Sequence, residues 1–174
     1  MRVERVRVCG LPANALSQRR RASGDYTDCF CTKIARDVSH AEFVEAFYTT
    51  WLFKLERWIL AQFVARPSTD AEARALALGQ RDRFAAWTIE QRAPDQVLLR
   101  DFTGRTCSWL MTKAAEEPGS TLLYFGSVVT SVRNASTGRP SLGPVHGRLI
   151  GFHRLYSRML LGGAVRKLAS GAAS

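Results

Sequence analysis

Asp25-Tyr26-Thr27-Asp28 places two carboxylates, a phenol and a hydroxyl in four consecutive positions. Such groups can fix a small polar moiety, and a carboxylate whose pKa is raised by burial can act as a general acid or base. Asp101 and Arg105 flank a turn further along the chain and add a second acid–base combination. Ligand sites pair apolar walls with a few placed polar groups. On that logic Tyr26, Asp28 and Arg105 are candidate polar anchors, and Trp87, Trp109, Tyr124 and Phe125 are candidate apolar or aromatic contacts. An enzyme on the same scaffold, a cyclase, hydrolase or isomerase, would use Asp28 or Asp101 with Tyr26. The same carboxylates serve equally well in turn capping and surface ion pairs, and the aromatic residues serve equally well in a solid core.

The cysteines offer less. Cys29-Phe30-Cys31 puts two sulfurs on one face of a strand, because strand side chains alternate. With Cys107 and a histidine they would make a soft donor set of the kind zinc prefers. No second closely spaced Cys or His pair accompanies them, and a buried cysteine commonly behaves as a small hydrophobe. Cys107 has His40, His146 and His153 as potential bases, but that pairing is set in space rather than by spacing. Neither GxGxxG nor GxxxxGK followed by Ser or Thr occurs, so no nucleotide loop is expected. Neither a metal nor a cofactor is expected.

These residues sit on elements that the sequence pattern marks out. Tyr26–Ala35 is rich in aromatic and β-branched residues and reads as a strand. Ser39-His-Ala-Glu42 is a capping box, and the spacing of Val44, Phe47, Trp51, Leu55, Trp58 and Ile59 predicts a long, largely buried helix to about Val64, ended by Pro67. Thr69-Asp-Ala-Glu72 repeats the cap before a short helix over Ala71–Leu78, stopped by Gly79. The period then changes to two. Phe84–Gln91, Val97–Phe102, Thr106–Ala114 and Thr121–Val132 read as four strands joined by short turns, an antiparallel meander. Asn134–Pro144 reads as loop, and a final helix is predicted over about 145–168, with Leu149, Phe152, Tyr156, Met159 and Leu160 as its apolar stripe and Arg154 and Arg158 opposite. Gly162-Gly163 is expected to weaken or kink its end.

That order of elements, strand, long helix, short helix, meander and long C-terminal helix, resembles the START-like helix-grip superfamily of polyketide cyclases and lipid-transfer domains. The resemblance implies an α+β fold in which an antiparallel β-sheet wraps around a long C-terminal helix and leaves an apolar cavity. The segments 25–28, 47–56, 108–111, 124–127 and 152–158 are also similar to uncharacterised bacterial proteins with no assigned activity. An open sheet with helices on one face, as in cone-shaped small-molecule enzymes of the NTF2 type, is the alternative architecture.

The chain has 174 residues, 46% of them hydrophobic, which suits one domain with one core. Residues 1–24 are expected to be a peripheral basic segment, 25–168 the single α+β domain, and 169–174 a frayed tail. The net charge is +10, and the excess lies in the first 21 and last 42 residues. Basic ends can meet an acidic partner, an anionic membrane or nucleic acid, yet no zinc-finger or RNP-like pattern is present. No apolar run approaches the roughly 20 residues needed to span a bilayer, and the charged N-terminus lacks the apolar centre of a signal peptide. The expected location is the cytoplasm and the expected partner a hydrophobic small molecule.

Overall fold

The computed structural model of the chain describes residues 3–55, 68–130, 132–133, 140–141 and 146–171. It is an α+β arrangement built on an eight-stranded antiparallel sheet with a long C-terminal helix. The strands are β1 (Arg7–Val8), β2 (Tyr26–Thr27), β3 (Phe30–Ile34), β4 (Arg83–Phe84), β5 (Trp87–Ala93), β6 (Gln96–Asp101), β7 (Thr106–Ala114) and β8 (Thr121–Val129). Their order is β1-β3-β8-β7-β6-β5-β4, with β2 beside β8 in line with β3. A separate two-stranded ladder joins β9 (Val132–Arg133) and β10 (Pro140–Ser141). It falls partly in the stretch read as loop from the sequence. The helices are α1 (Gln18–Ala22), α2 (His40–Tyr48), α3 (Asp70–Ala77) and α4 (His146–Ser170).

Both predicted capping boxes form. Ser39 Oγ accepts the Glu42 N–H at 3.2 Å while Glu42 Oε2 accepts the Ser39 N–H at 2.9 Å. Thr69 and Glu72 repeat the exchange at the start of α3. Gly79 takes φ +74° past the end of α3, the left-handed conformation that costs other residues most.

Four expected elements are interrupted, each for a local reason. The strand 26–35 breaks at Asp28, whose carboxylate takes over a ladder position. The Asp28 N–H donates to Ser127 O at 3.1 Å, but the Ser127 N–H donates to Asp28 Oδ1 at 2.8 Å instead of to the backbone. The long helix stops at Tyr48. Thr49 Oγ1 donates to Glu45 O, which also accepts the Thr49 N–H at 3.1 Å, and the Thr50 hydroxyl and N–H both turn to Phe47 O, three residues back, which tightens and ends the helix. Thr50 Oγ1 then accepts the Phe53 N–H at 3.3 Å and caps a new helical stretch at 51–55. The apolar face does not carry on through the break, because Trp51 is 63% and Leu55 47% exposed. Trp58, Ile59 and Pro67 lie outside the described residues. The strand expected at 84–91 is a hairpin, with Phe84 paired to Trp87 across Ala85, which takes φ +50°. The strand expected at 121–132 ends at Val129, and Val132 belongs to the small ladder.

The C-terminal helix is longer than expected and runs through Gly162-Gly163 to Ser170 without interruption. These glycines permit close approach. A Cβ at Gly163 would stand 3.2 Å from Thr50 Cγ2, where α4 passes the break after α2. The stripe that α4 buries is Ser157, Leu160, Leu161, Ala164, Val165 and Leu168, whereas Met159 is 42% exposed. The side chains of Leu149 and Phe152 are not among those described.

The sheet is covered on both faces. On the inner face α2 and α4 pack over Phe30, Ile34, Val97, Leu99, Leu110, Leu123 and Phe125, with an aromatic group of Phe43, Phe47, Tyr48, Phe53 and Phe84. Tyr48 meets Phe47 and Phe53 edge-on at 5.3 and 4.8 Å between ring centroids, an arrangement that aromatic quadrupoles favour. On the outer face Cys29, Leu98, Cys107, Trp109, Met111 and Val128 pack against Cys9, Leu11, Ala15 and Leu16 of the N-terminal segment. The segment read as peripheral therefore supplies the outer layer. Gln96 fastens it: Oε1 accepts the Leu16 N–H and the Trp109 Nε1–H, both at 3.0 Å, and Nε2 donates to Asn14 O at 3.1 Å.

Candidate ligand cavity

Strand alternation decides which side chains meet the C-terminal helix. In β7 and β8, Ser108, Leu110, Leu123, Phe125 and Ser127 share the inner face, because Ser108 lies opposite Ser127 and Leu110 opposite Phe125. Trp87 joins them from β5, across from Asp101. Tyr156, Ser157 and Leu160 come down from α4, and Phe47 and Phe53 close the space from either side of the Thr49-Thr50 break. Between them lies a cavity of about 220 Å³.

Its walls are apolar and mostly aromatic: Phe47, Phe53, Trp87, Phe125, Tyr156 and Leu160. Phe47 and Phe125 hold each other at 4.7 Å between centroids, which fixes one corner. Four hydroxyl residues interrupt the walls, Thr106, Ser108, Ser127 and Ser157. Ser108 Oγ is within 3.1 Å of the buried Tyr48 hydroxyl, so these two satisfy each other. Ser157 is fully buried and its Oγ has no hydrogen-bond partner, and the Trp87 Nε1 is likewise buried without one. Buried polar atoms are nearly always paired, and these two unpaired ones, each with under 1 Å² of accessible surface, are enclosed in the wall of the cavity rather than open to it. No charged side chain lines it among the described residues.

The residues singled out from the sequence separate into four places. Trp87 and Phe125 line this cavity. Trp109 and Tyr124 point to the outer face, where Trp109 is fully buried and the two rings lie 6.3 Å apart. Tyr26 and Asp28 border a second groove of about 280 Å³ with Cys9, Arg21, Cys29 and Arg154. Burial and the neighbouring Asp28 carboxylate raise the Tyr26 pKa, with Arg154 opposing. Arg105 is exposed in the β6–β7 turn. Its N–H and that of Thr106 donate to Asp101 Oδ1 at 2.9 and 3.1 Å, and the Thr103 hydroxyl donates to Oδ2 at 2.5 Å. Asp101 is thereby a turn cap, and Asp28 is a ladder element.

The thiols are poorly placed for nucleophilic or metal chemistry. Cys9 and Cys29 Sγ are 3.3 Å apart, and all four cysteines are free. The hydrogen bond from Cys29, reinforced by burial, pushes the Cys9 thiol up to about 12. Cys9 and burial raise that of Cys31, and burial pushes Cys107 up to about 11. All three are protonated at neutral pH, whereas the thiolate is the nucleophile and the ligand. Among the described residues no group of three His, Cys, Asp or Glu side chains could hold a metal ion.

Ser157 is the cavity residue that sequence reasoning passed over. Its signal is a lone polar residue at three- and four-residue spacing with Leu160, Leu161, Ala164 and Val165. Phe47, Phe53, Tyr156 and Leu160 were legible only as core.

No protein-family profile matches the chain, and no curated protein is similar to it. Among solved structures it is similar to a conserved protein of unknown function from Enterococcus faecalis, at 13% identity and a TM-score of 0.32, with 89% of this chain and 96% of that one covered. No helix among the described residues is long and apolar enough to cross a membrane.

Proposed function

We propose that this domain binds a small apolar molecule in the cavity between the inner face of the sheet and α4, in a helix-grip-like arrangement. The observation that carries this reading is the 220 Å³ cavity, with aromatic side chains from β5, β8, α4 and the chain around Thr50 arranged about it. Cores pack closely and leave few voids larger than a water molecule. A space of this size lined largely by aromatic and aliphatic side chains presents apolar surface that an apolar occupant would cover. The absence of charge from the described walls favours a neutral guest, because an unpaired buried ion is costly. An acid–base role for the site is not favoured, since Asp28 and Asp101 are committed to backbone N–H groups elsewhere.

Native mass spectrometry of the protein purified from its own host, set against a denatured sample, tests the reading. A retained small mass that disappears on denaturation, and that Leu160→Trp displaces by filling the space, is the expected result. A clean spectrum, together with no shift in melting temperature from any of a series of single-ring aromatic and short aliphatic compounds, would overturn it.

A further inference from the structure

We infer that Cys9 and Cys29 are a site of reversible oxidation, at which a hydroperoxide joins them in a cross-strand disulfide that clamps the outer, N-terminal layer to the sheet. The site lies on the face of the sheet opposite the cavity and stands independently of it.

Strand register brings the two residues together. Arg7 pairs with Cys31 and Val8 with Phe30, so the next step past β1 sets Cys9 opposite Cys29. The Cys9 N–H donates to Cys29 O at 3.0 Å, in keeping with that register. Hydrogen-bonded antiparallel partners stand about 5.5 Å apart between Cα atoms, a span that a disulfide bridges without strain. Both side chains lie on the outer face, and their sulfurs are already 3.3 Å apart. They need close by only about 1 Å to reach bonding distance. Cys9 is half-buried and Cys29 buried, and both border the groove of about 280 Å³ through which a small oxidant can arrive. Cys31 shares the strand face but is buried and stands opposite Arg7, two residues away along the ladder.

The chemistry takes two steps. The Cys9 thiolate attacks one peroxide oxygen: an S–O bond forms, the O–O bond breaks, and the other oxygen leaves and takes up a proton. The Cys29 sulfur then attacks the Cys9 sulfur: the S–S bond forms, the S–O bond breaks, and the hydroxide leaves as water with the Cys29 proton. Two electrons pass from the thiols to the peroxide. The first step runs through the small thiolate fraction of Cys9, so its raised pKa makes the reaction slow near neutral pH and faster as pH rises. The product ties together positions 20 residues apart in sequence. Leu11, Ala15, Leu16 and α1 lie within that loop. A cross-link restricts the states open to a detached segment and therefore opposes the lifting of the outer layer.

Hydrogen peroxide added to the full chain without denaturant, at a series of pH values above neutral, tests the site by intact mass. The expected result is a species lighter by two hydrogens, formed about tenfold faster per pH unit and reversed by dithiothreitol. Cys31→Ser and Cys107→Ser should form it as the wild type does. Cys9→Ser and Cys29→Ser should not, each variant being checked for folding by circular dichroism. Trypsin gives a second readout. Cleavage at Arg19–Arg21 should slow by about tenfold or more in the oxidised protein, and the two fragments should part only on reduction. Oxygen addition without loss of two hydrogens would overturn the site. A bond that survives in Cys29→Ser and vanishes in Cys31→Ser would reassign it to Cys31 and overturn the pairing. A Cys9–Cys29 bond that leaves tryptic cleavage unchanged would overturn the clamp.

Discussion

His40 begins α2 yet is 92% buried, with Nε2 lacking a partner. Burial is the main influence on its pKa and pushes it down to about 4; the nearby Arg92 acts in the same direction, and the Leu110 backbone and Asp95 oppose. A group whose folded pKa lies below its unfolded one takes up protons more readily when unfolded. Stability is then complete above the unfolded value near 6.5 and drains away as pH falls from there towards 4. At about 1.4 kcal/mol per unit, the whole shift is worth on the order of 3 kcal/mol, and about 1 kcal/mol of it is lost between pH 7 and pH 5.5. The capping carboxylates respond lower down. Backbone N–H groups of Ser39 and Thr69 hold Glu42 and Glu72 below the usual range, so their contribution persists to more acid pH before it is lost. Urea denaturation at pH 7 and pH 5.5 isolates the histidine. His40→Phe is expected to reduce the fall in stability between the two pH values by about 1 kcal/mol, and an unchanged fall would show that His40 does not titrate in this window.

Among the elements, three glycines at contacts of different tightness make a graded test of packing. A Cβ at Gly162 would meet nothing nearer than Arg166 Nη1 at 3.7 Å, the end of a flexible chain. Gly162→Ala is therefore expected to stabilise the protein by up to about 1 kcal/mol, the helix preference of alanine over glycine. At Gly163 the Thr50 methyl at 3.2 Å must yield, so Gly163→Ala should gain less than Gly162→Ala. At Gly126 a Cβ would fall 2.7 Å from Asp28 O and 3.0 Å from the buried Trp109 ring. Neither can move freely, and Gly126→Ala is expected to cost about 1–3 kcal/mol, as overpacking does. Thermal melts of the three variants check the order 162, 163, 126 from most to least stable. The same contacts explain what the sequence made legible. Capping boxes are local and were read correctly at Ser39 and Thr69, and β7 was read to the residue because its pattern and turns are local too. The breaks at Asp28 and Thr49-Thr50 depend on side chains competing for backbone groups, which composition does not reveal. The direction of Trp109 depends on cross-strand register, which places Gly126 opposite it, and half of the expected aromatic contacts face away from the cavity.

At the scale of the whole molecule, one sheet separates two layers that are held by different means. The inner layer is broad and apolar. The outer one is a thin N-terminal segment whose basic run Arg19–Arg21 looked like part of a free charged end. Arg20 is instead bound to Glu90, with Nη2 at 2.6 Å from Oε2 and Nε at 3.2 Å from Oε1. Glu90 is available for this because β5 bulges between Ile89 and Gln91 and turns that residue out of the regular register. The pair is only partly buried, and such pairs contribute roughly 0–1 kcal/mol, so the ion pair alone does not hold the layer. Gln96 has the larger part. It is 3% exposed and satisfies the Leu16 N–H, the Asn14 carbonyl and the Trp109 indole at once. Gln96→Ala strands those three groups, each at about 1–3 kcal/mol if it stays buried, and the least costly escape is for the segment to lift and hydrate. Trypsin should then cleave at Arg19–Arg21 faster in Gln96→Ala than in the wild type, with the inner-face amides of β7 and β8 keeping their protection in hydrogen exchange. Glu90→Ala should accelerate cleavage much less. Equal acceleration by the two substitutions would place the ion pair, not the glutamine, at the centre of the attachment. Loss of protection throughout β7 and β8 in Gln96→Ala would mean that the two layers unfold together rather than one after the other.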